Sequence, residues 1–129
     1  MAKSINTQEG EIKKLIHQWF SKWREGDFYN LPISENFKHT SPFGTIDGKE
    51  AYLKLVETNR DKFLGYEFLI HDEIYGDDKA CVRYTAIQGD FKLDVSEWYY
   101  IRNSLIEEII AHYHIGEIKE DRKLSESED

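Results

Sequence analysis

The hydrophobic period of this chain changes at Tyr66, and that switch restricts the fold more than any other feature. Before it, Ile12, Leu15, Ile16, Trp19, Phe20 and Trp23 fall at i, i+3, i+4, i+7, i+8 and i+11, the apolar stripe of a helix predicted over residues 7–25. Asn6 with Glu9 reads as its N-cap pair and Gly26 as its stop. Tyr52, Leu55, Val56, Asn59 and Phe63 repeat the helical spacing over residues 48–63, with Asp47 as cap, Glu50 as the capping carboxylate and Gly65 as the end. From Tyr66 onward, Tyr66, Phe68 and Ile70 alternate with Glu67, Leu69 and His71, which is the period of a strand. Turn signals at Gly76-Asp77-Asp78, Gln88-Gly89-Asp90 and Asn103-Ser104 divide the rest into consecutive strands, with 80–87, 91–102 and 105–115 following the first. Short turns between successive strands make an antiparallel meander. The expected fold is α+β, a curved antiparallel sheet packed against two N-terminal helices.

Between the helices, Pro32 forbids a long regular helix and leaves room for a single turn around residues 28–31. A short strand is predicted at residues 37–41, ended by Pro42-Phe43-Gly44 and free to add to a sheet edge. Its alternation sends Phe37, His39 and Ser41 one way and Lys38 and Thr40 the other. Phe37 requires a core, so His39 and Ser41 face inward with it. On 91–102 the more apolar face carries Leu93, Val95, Glu97, Tyr99 and Ile101, and is placed inside; Trp98 and Tyr100 are left outside. On the last strand Ile109, Ala111 and Tyr113 share one face, and Ile110, His112 and His114 the other.

One domain over residues 1–116 accommodates the apolar content of a 129-residue chain, with a charged tail at 117–129 holding six acids and three bases. A net charge of −8 without a basic stripe argues against nucleic acid and anionic membrane as partners. Cys81 is the single cysteine, which excludes an internal disulfide and fits a reducing, cytoplasmic setting; it reads as a small buried hydrophobe. Residues 1–14 show no apolar core of a signal peptide, and no apolar run approaches the roughly 20 residues of a membrane span.

The inward polar set is His39, Ser41 and Glu97, with Trp19, Tyr52, Tyr99 and Tyr113 as candidate walls. A carboxylate close to an imidazole fixes its tautomer and makes an acid/base pair suited to proton shuffling, hydration or dehydration of a small apolar molecule. The alternative is a buried Glu97 satisfied by Tyr99, Tyr113 or His39 hydrogen bonds with no turnover, and a Ser41 that only shapes its turn. Ser41 lacks the G-x-S-x-G elbow of a serine nucleophile. His112 and His114 show no third ligand nearby, and Asp72-Glu73 and Asp77-Asp78 lack calcium-loop spacing, so neither a metal nor a cofactor is expected. Trp98, Tyr100 and Ile110 outside suggest a homodimer through the outer sheet face.

Arg24-Glu25-Gly26-Asp27 closing the first helix, Ser41-Pro42-Phe43-Gly44, Ile46-Asp47-Gly48-Lys49 and Ile110-Ala111-His112-Tyr113-His114 occur in an order that resembles the nuclear transport factor 2-like superfamily, in its SnoaL-like and ketosteroid isomerase-like branch. The resemblance covers about residues 8–116 and implies a cone-shaped, cystatin-like α+β roll with a cavity between sheet and helices. It also implies positions. The isomerase's aspartate base falls at Ser41, which cannot serve as one. Its oxyanion tyrosine falls at Trp19, which donates a single hydrogen bond. Its protonated aspartate falls near Glu97, and the cyclases' aspartate near His114, which strand parity turns away from the cavity. These departures speak against a steroid isomerase. They leave an isomerase, cyclase or dehydratase using His39 and Glu97, or a non-catalytic ligand-binding or interaction module on the same fold.

Overall fold

The computed structural model describes the backbone of residues 2–114, Gly116 and Leu124, with side chains from Glu9 onward. The expected tail, Leu124 apart, lies almost wholly outside the described residues. Helix α1 (Ala2–Glu25) carries the predicted stripe, with Ile12, Ile16, Trp19 and Phe20 buried. It begins before Asn6, so the Asn6–Glu9 pair is not its start. Its end follows the expected physics: Gly26 takes φ +77, and the Gly26 and Asp27 N–H groups bond back to the Trp23 and Lys22 carbonyls at 3.2 and 2.9 Å. That is a Schellman cap, which satisfies carbonyls the helix leaves unpaired. A single 3₁₀ turn follows at Phe28–Asn30.

Strand β1 runs Ile33–Ser41, longer than predicted, and pairs with β2 (Gly44–Asp47), a strand that was not anticipated. Asp47 belongs to β2, opposite Lys38, rather than capping a helix. Gly48, at φ +106, occupies the cap position instead, and its N–H bonds the Phe37 carbonyl at 2.7 Å. The second helix is two pieces, α2 (Lys49–Thr58) and α3 (Arg60–Phe63), divided at the buried Asn59. Asn59 holds the Leu55 carbonyl through Nδ2 at 2.9 Å, a side chain-to-backbone bond that competes with helix continuation.

Strands β3 (Glu67–Tyr75), β4 (Lys79–Gln88), β5 (Phe91–Arg102) and β6 (Leu105–His112) form the meander. The sheet order is β2-β1-β6-β5-β4-β3. All pairs are antiparallel except β1 with β6, which is parallel. β1 therefore adds to the edge of the meander at β6, as expected, and β2 in turn covers it. Register shifts in the β1–β6, β3–β4 and β5–β6 ladders bend the sheet; bulges of this kind increase local twist and curvature. The curved α+β architecture is the expected one. β6 stops at His112, so Tyr113 and His114 follow the strand instead of ending it.

The inner face is apolar across the sheet: Ala80, Val82, Tyr84 and Ala86 on β4, Val95 and Tyr99 on β5, Ile106, Ile109 and Ala111 on β6, and Ile33 and Phe37 on β1 are all buried. On the outer face Trp98 is 39% exposed. Cys81 stands beside it, half-buried on the outer face, and is not the core residue expected from its type.

Candidate functional site

A cavity of about 640 Å³ lies between the inner sheet face and the helices. β1 contributes His39 and Ser41, α1 contributes Trp19, α2 contributes Tyr52, β5 contributes Glu97, and Tyr113 follows β6. Strand alternation and the pairing of β5 with β6 explain the placement. Glu97 faces Ala111 and Val82 on either side, in a strand with neighbours on both edges. A side chain at that point of an inner face is reached only through the cavity, and Glu97 is 5% exposed.

Glu97 is satisfied by tyrosines. Tyr99, two residues along the same strand face, donates its hydroxyl to Oε1, and Tyr84 donates a second hydrogen bond from β4. Tyr52 and Tyr113 lie close enough for its charge to push their hydroxyl pKa values up, in addition to burial. Burial raises the Glu97 carboxyl to about 7, against the two tyrosine hydrogen bonds, which favour its ionised form. Tyr99 is fully buried and supports Glu97 from behind the cavity wall rather than lining it.

His39 stands on the same inner sheet face, on β1, with β6 between it and β5. Its ring packs 5.3 Å from Tyr52 and 6.3 Å from Phe37 between centroids. Burial alone lowers its pKa to about 4, so the imidazole is neutral at pH 7. His39 makes no contribution to the state of Glu97, and Glu97 none to that of His39. The two expected partners thus share a face and a cavity, but the hydrogen bonds to Glu97 come from Tyr99 and Tyr84. Ser41 hydrogen-bonds Tyr113, and its Oγ accepts the Phe43 N–H at 3.1 Å, which shapes the turn as well as the cavity mouth. Trp19 stacks against Tyr52 with centroids 6.5 Å apart.

Sequence reasoning missed Tyr84, and the signal for it existed. In the β4–β5 hairpin the numbers of paired residues sum to 179, as in Gln88 with Phe91, so Tyr84 pairs Val95 and stands diagonal to Glu97. His112 and His114 are exposed, and among the described residues no cluster of His, Cys, Asp or Glu is arranged to hold a metal ion. Among the described residues no helix is long and apolar enough to cross a membrane.

No family model and no curated protein matches the chain. Solved structures do. A SnoaL-like protein of unknown function from Burkholderia thailandensis E264 is 18% identical with a TM-score of 0.67, covering 82% of this chain and 96% of its own. A putative ketosteroid isomerase from Kribbella flavida DSM 17836 is 14% identical at TM-score 0.70, covering 82% and 79%. An epoxide hydrolase described as LEH-like, from M. tuberculosis, is 14% identical at TM-score 0.71, covering 84% and 86%. The chain has the nuclear transport factor 2-like fold expected from its sequence.

Proposed function

We propose that the cavity takes a small apolar molecule and that Glu97 exchanges a proton with it, in an isomerisation, cyclisation or dehydration. The carrying observation is a single buried carboxyl, held by Tyr84 and Tyr99 on the wall of an aromatic cavity, with its pKa moved to about 7. A proton-transfer group works best when its pKa lies near the working pH. His39, neutral and two strands away on the same sheet face, is the second group for the ligand's polar end: it acts on the bound molecule instead of bonding Glu97. The names of the similar structures, a putative ketosteroid isomerase and an epoxide hydrolase among them, support chemistry on small molecules without selecting a reaction.

The test begins with small apolar carbonyl and hydroxyl compounds, screened by quenching of Trp19 and Trp23 fluorescence. Bound compounds are then incubated with the protein in D₂O and followed by NMR. Deuterium should enter a C–H position, and Glu97→Gln should slow the exchange by about 100-fold or more, the contribution of a positioned general base. Binding with no exchange in any compound would favour a non-catalytic ligand carrier.

We also propose a homodimer through the outer sheet face. Thr40, Ile110, Trp98, Cys81 and Ile74 form one row across five strands, with Ile74 68% exposed. Such a row is costly to leave wet at roughly 25 cal/mol per Å², and a two-fold axis allows one patch to cover its own copy. Sedimentation equilibrium should give twice the chain mass at tens of micromolar, and Trp98→Glu with Ile74→Glu should give the monomer. A wild-type monomer at that concentration would refute the arrangement.

A further inference from the structure

We propose that the molecule the cavity is built for is an apolar amine, bound as its ammonium ion with Glu97 as the counter-ion. This rests on the reading of the cavity as a ligand site, though not on turnover there.

The argument starts from charge. Among the described residues lining the cavity, none is Lys or Arg, and the ionisable side chains are Glu97, His39 and tyrosines. An anionic ligand would meet no compensating cation, and would be repelled by the ionised Glu97 and by a chain of net charge −8. A buried carboxylate without a cation is an incomplete pair, because buried charges are normally matched.

The hydrogen bonds then separate an amine from a neutral acceptor such as a ketone. A carbonyl ligand would need Glu97 protonated, donating its hydrogen. Tyr84 and Tyr99 instead both donate to Glu97, which favours the carboxylate. A carboxylate has about four acceptor positions; the tyrosines occupy two and leave room for N–H donors. His39 does not compete as counter-ion, because it is neutral and unlinked to Glu97. The remaining walls suit a cation too: Trp19, Phe20, Tyr52, Phe68 and Tyr113 line the same space, and aromatic faces attract ammonium groups. In the complex the ammonium keeps its proton and the carboxylate its charge, so the site as a whole becomes neutral.

Titration follows from the neighbours of Glu97. Tyr99 stands two residues along its strand, Cys81 lies next to its β4 partner Val82 on the other sheet face, Tyr84 reaches it from β4, Tyr52 from α2 and Tyr113 from beyond β6, while His39 faces the cavity from β1. The tyrosines and Cys81 are all shifted upward by burial, and His39 is shifted down to about 4, so Glu97 is the group in this set that titrates between pH 6 and 8.

Three probes of one shape decide the matter: 1-adamantanemethylamine, 1-adamantanemethanol and 1-adamantanecarboxylate, titrated against the full chain with tryptophan fluorescence as readout. At pH 8 the amine should bind at least about tenfold more tightly than the alcohol, and the carboxylate should bind least. Between pH 8 and pH 6 the amine's affinity should fall about tenfold, as Glu97 takes up its proton, while the alcohol's stays level. Glu97→Gln should remove both the amine preference and its pH dependence, and the wild-type pH series carries the same information should that variant fold poorly. Equal affinity for amine and alcohol, or tighter binding of the carboxylate, would overturn the amine and leave the cavity standing. Failure of all three probes to bind would overturn the cavity as a ligand site and the amine with it.

Discussion

Glu97→Gln should make the protein more stable than wild type at pH 8 by about 3 kcal/mol relative to the difference between the two at pH 4.5. The folded-state pKa of Glu97, about 7, lies above its ordinary value of 4.5. The native state therefore holds the proton more tightly than the unfolded chain does. Its contribution is fully present below pH 4.5 and is lost as pH rises through 7. At 1.36 kcal/mol per pH unit of difference, the cost of ionising Glu97 in place is about 3 kcal/mol. His39 acts in the opposite sense. Its folded pKa of about 4 lies below 6.5, so its contribution is present above 6.5 and is lost as pH falls toward 4. The slopes oppose each other between pH 4.5 and 6.5, and wild type should be nearly flat there. Glu97→Gln exposes the His39 slope, with stability rising by about 1.4 kcal/mol per pH unit over that window. Urea unfolding at half-unit steps from pH 4.5 to 8 reads both effects. A Glu97→Gln profile parallel to wild type throughout would show that Glu97 titrates normally, and the environment assigned to it would be wrong.

How much of this was visible in the sequence depended on the range over which each feature is determined. The stripe from Ile12 to Trp23 is local and made of large apolar residues, so α1 was legible; its first turns, Ala2 to Asn6, carry no such stripe and were not. The Asn103-Ser104 turn was legible because two residues with φ of 54° and 64° close a tight hairpin, which short polar residues tolerate. β2 has four residues, too few to establish a period. The parallel pairing of β1 with β6 joins residues about 70 positions apart, as His39 with Ile109, and no local signal specifies it. The cavity walls were legible where alternation sufficed, Glu97 from β5 and His39 and Ser41 from β1, whereas Tyr99, read as a wall by the same alternation, is buried behind it. Of the partners of Glu97, Tyr99 was legible as its neighbour two residues along the strand, whereas Tyr84 was passed over although the predicted β4–β5 turn sets it diagonal to Glu97. Among the partners expected for Glu97, namely His39, Tyr99 and Tyr113, the hydrogen bond comes from Tyr99, and the ladder adds Tyr84 from the neighbouring strand.

Phe37→Ala should cost about 3–5 kcal/mol, the range for deleting a fully buried phenylalanine. Phe37 is 0% exposed and lies at the junction of sheet and helices. Its ring sits 4.9 Å from Tyr52 in an edge contact, 6.2 Å from Trp19 and 6.3 Å from His39. Its carbonyl accepts the Gly48 N–H at 2.7 Å, which ties the start of α2 to β1. Truncation thus opens a void where three cavity-lining rings meet, and those rings cannot collapse into it without leaving their walls. Phe37→Leu retains most of the volume and should cost less, about 1–1.5 kcal/mol. Its informative effect is on His39, whose ring then loses an aromatic neighbour and gains room for water. Relief of burial should bring the imidazole pKa up from about 4 toward 6.5, measurable by NMR titration of the His39 ring protons. A His39 that stays near 4 in a folded Phe37→Leu protein would mean that Tyr52 and the cavity wall alone set its surroundings, and that Phe37 serves the core without positioning the site.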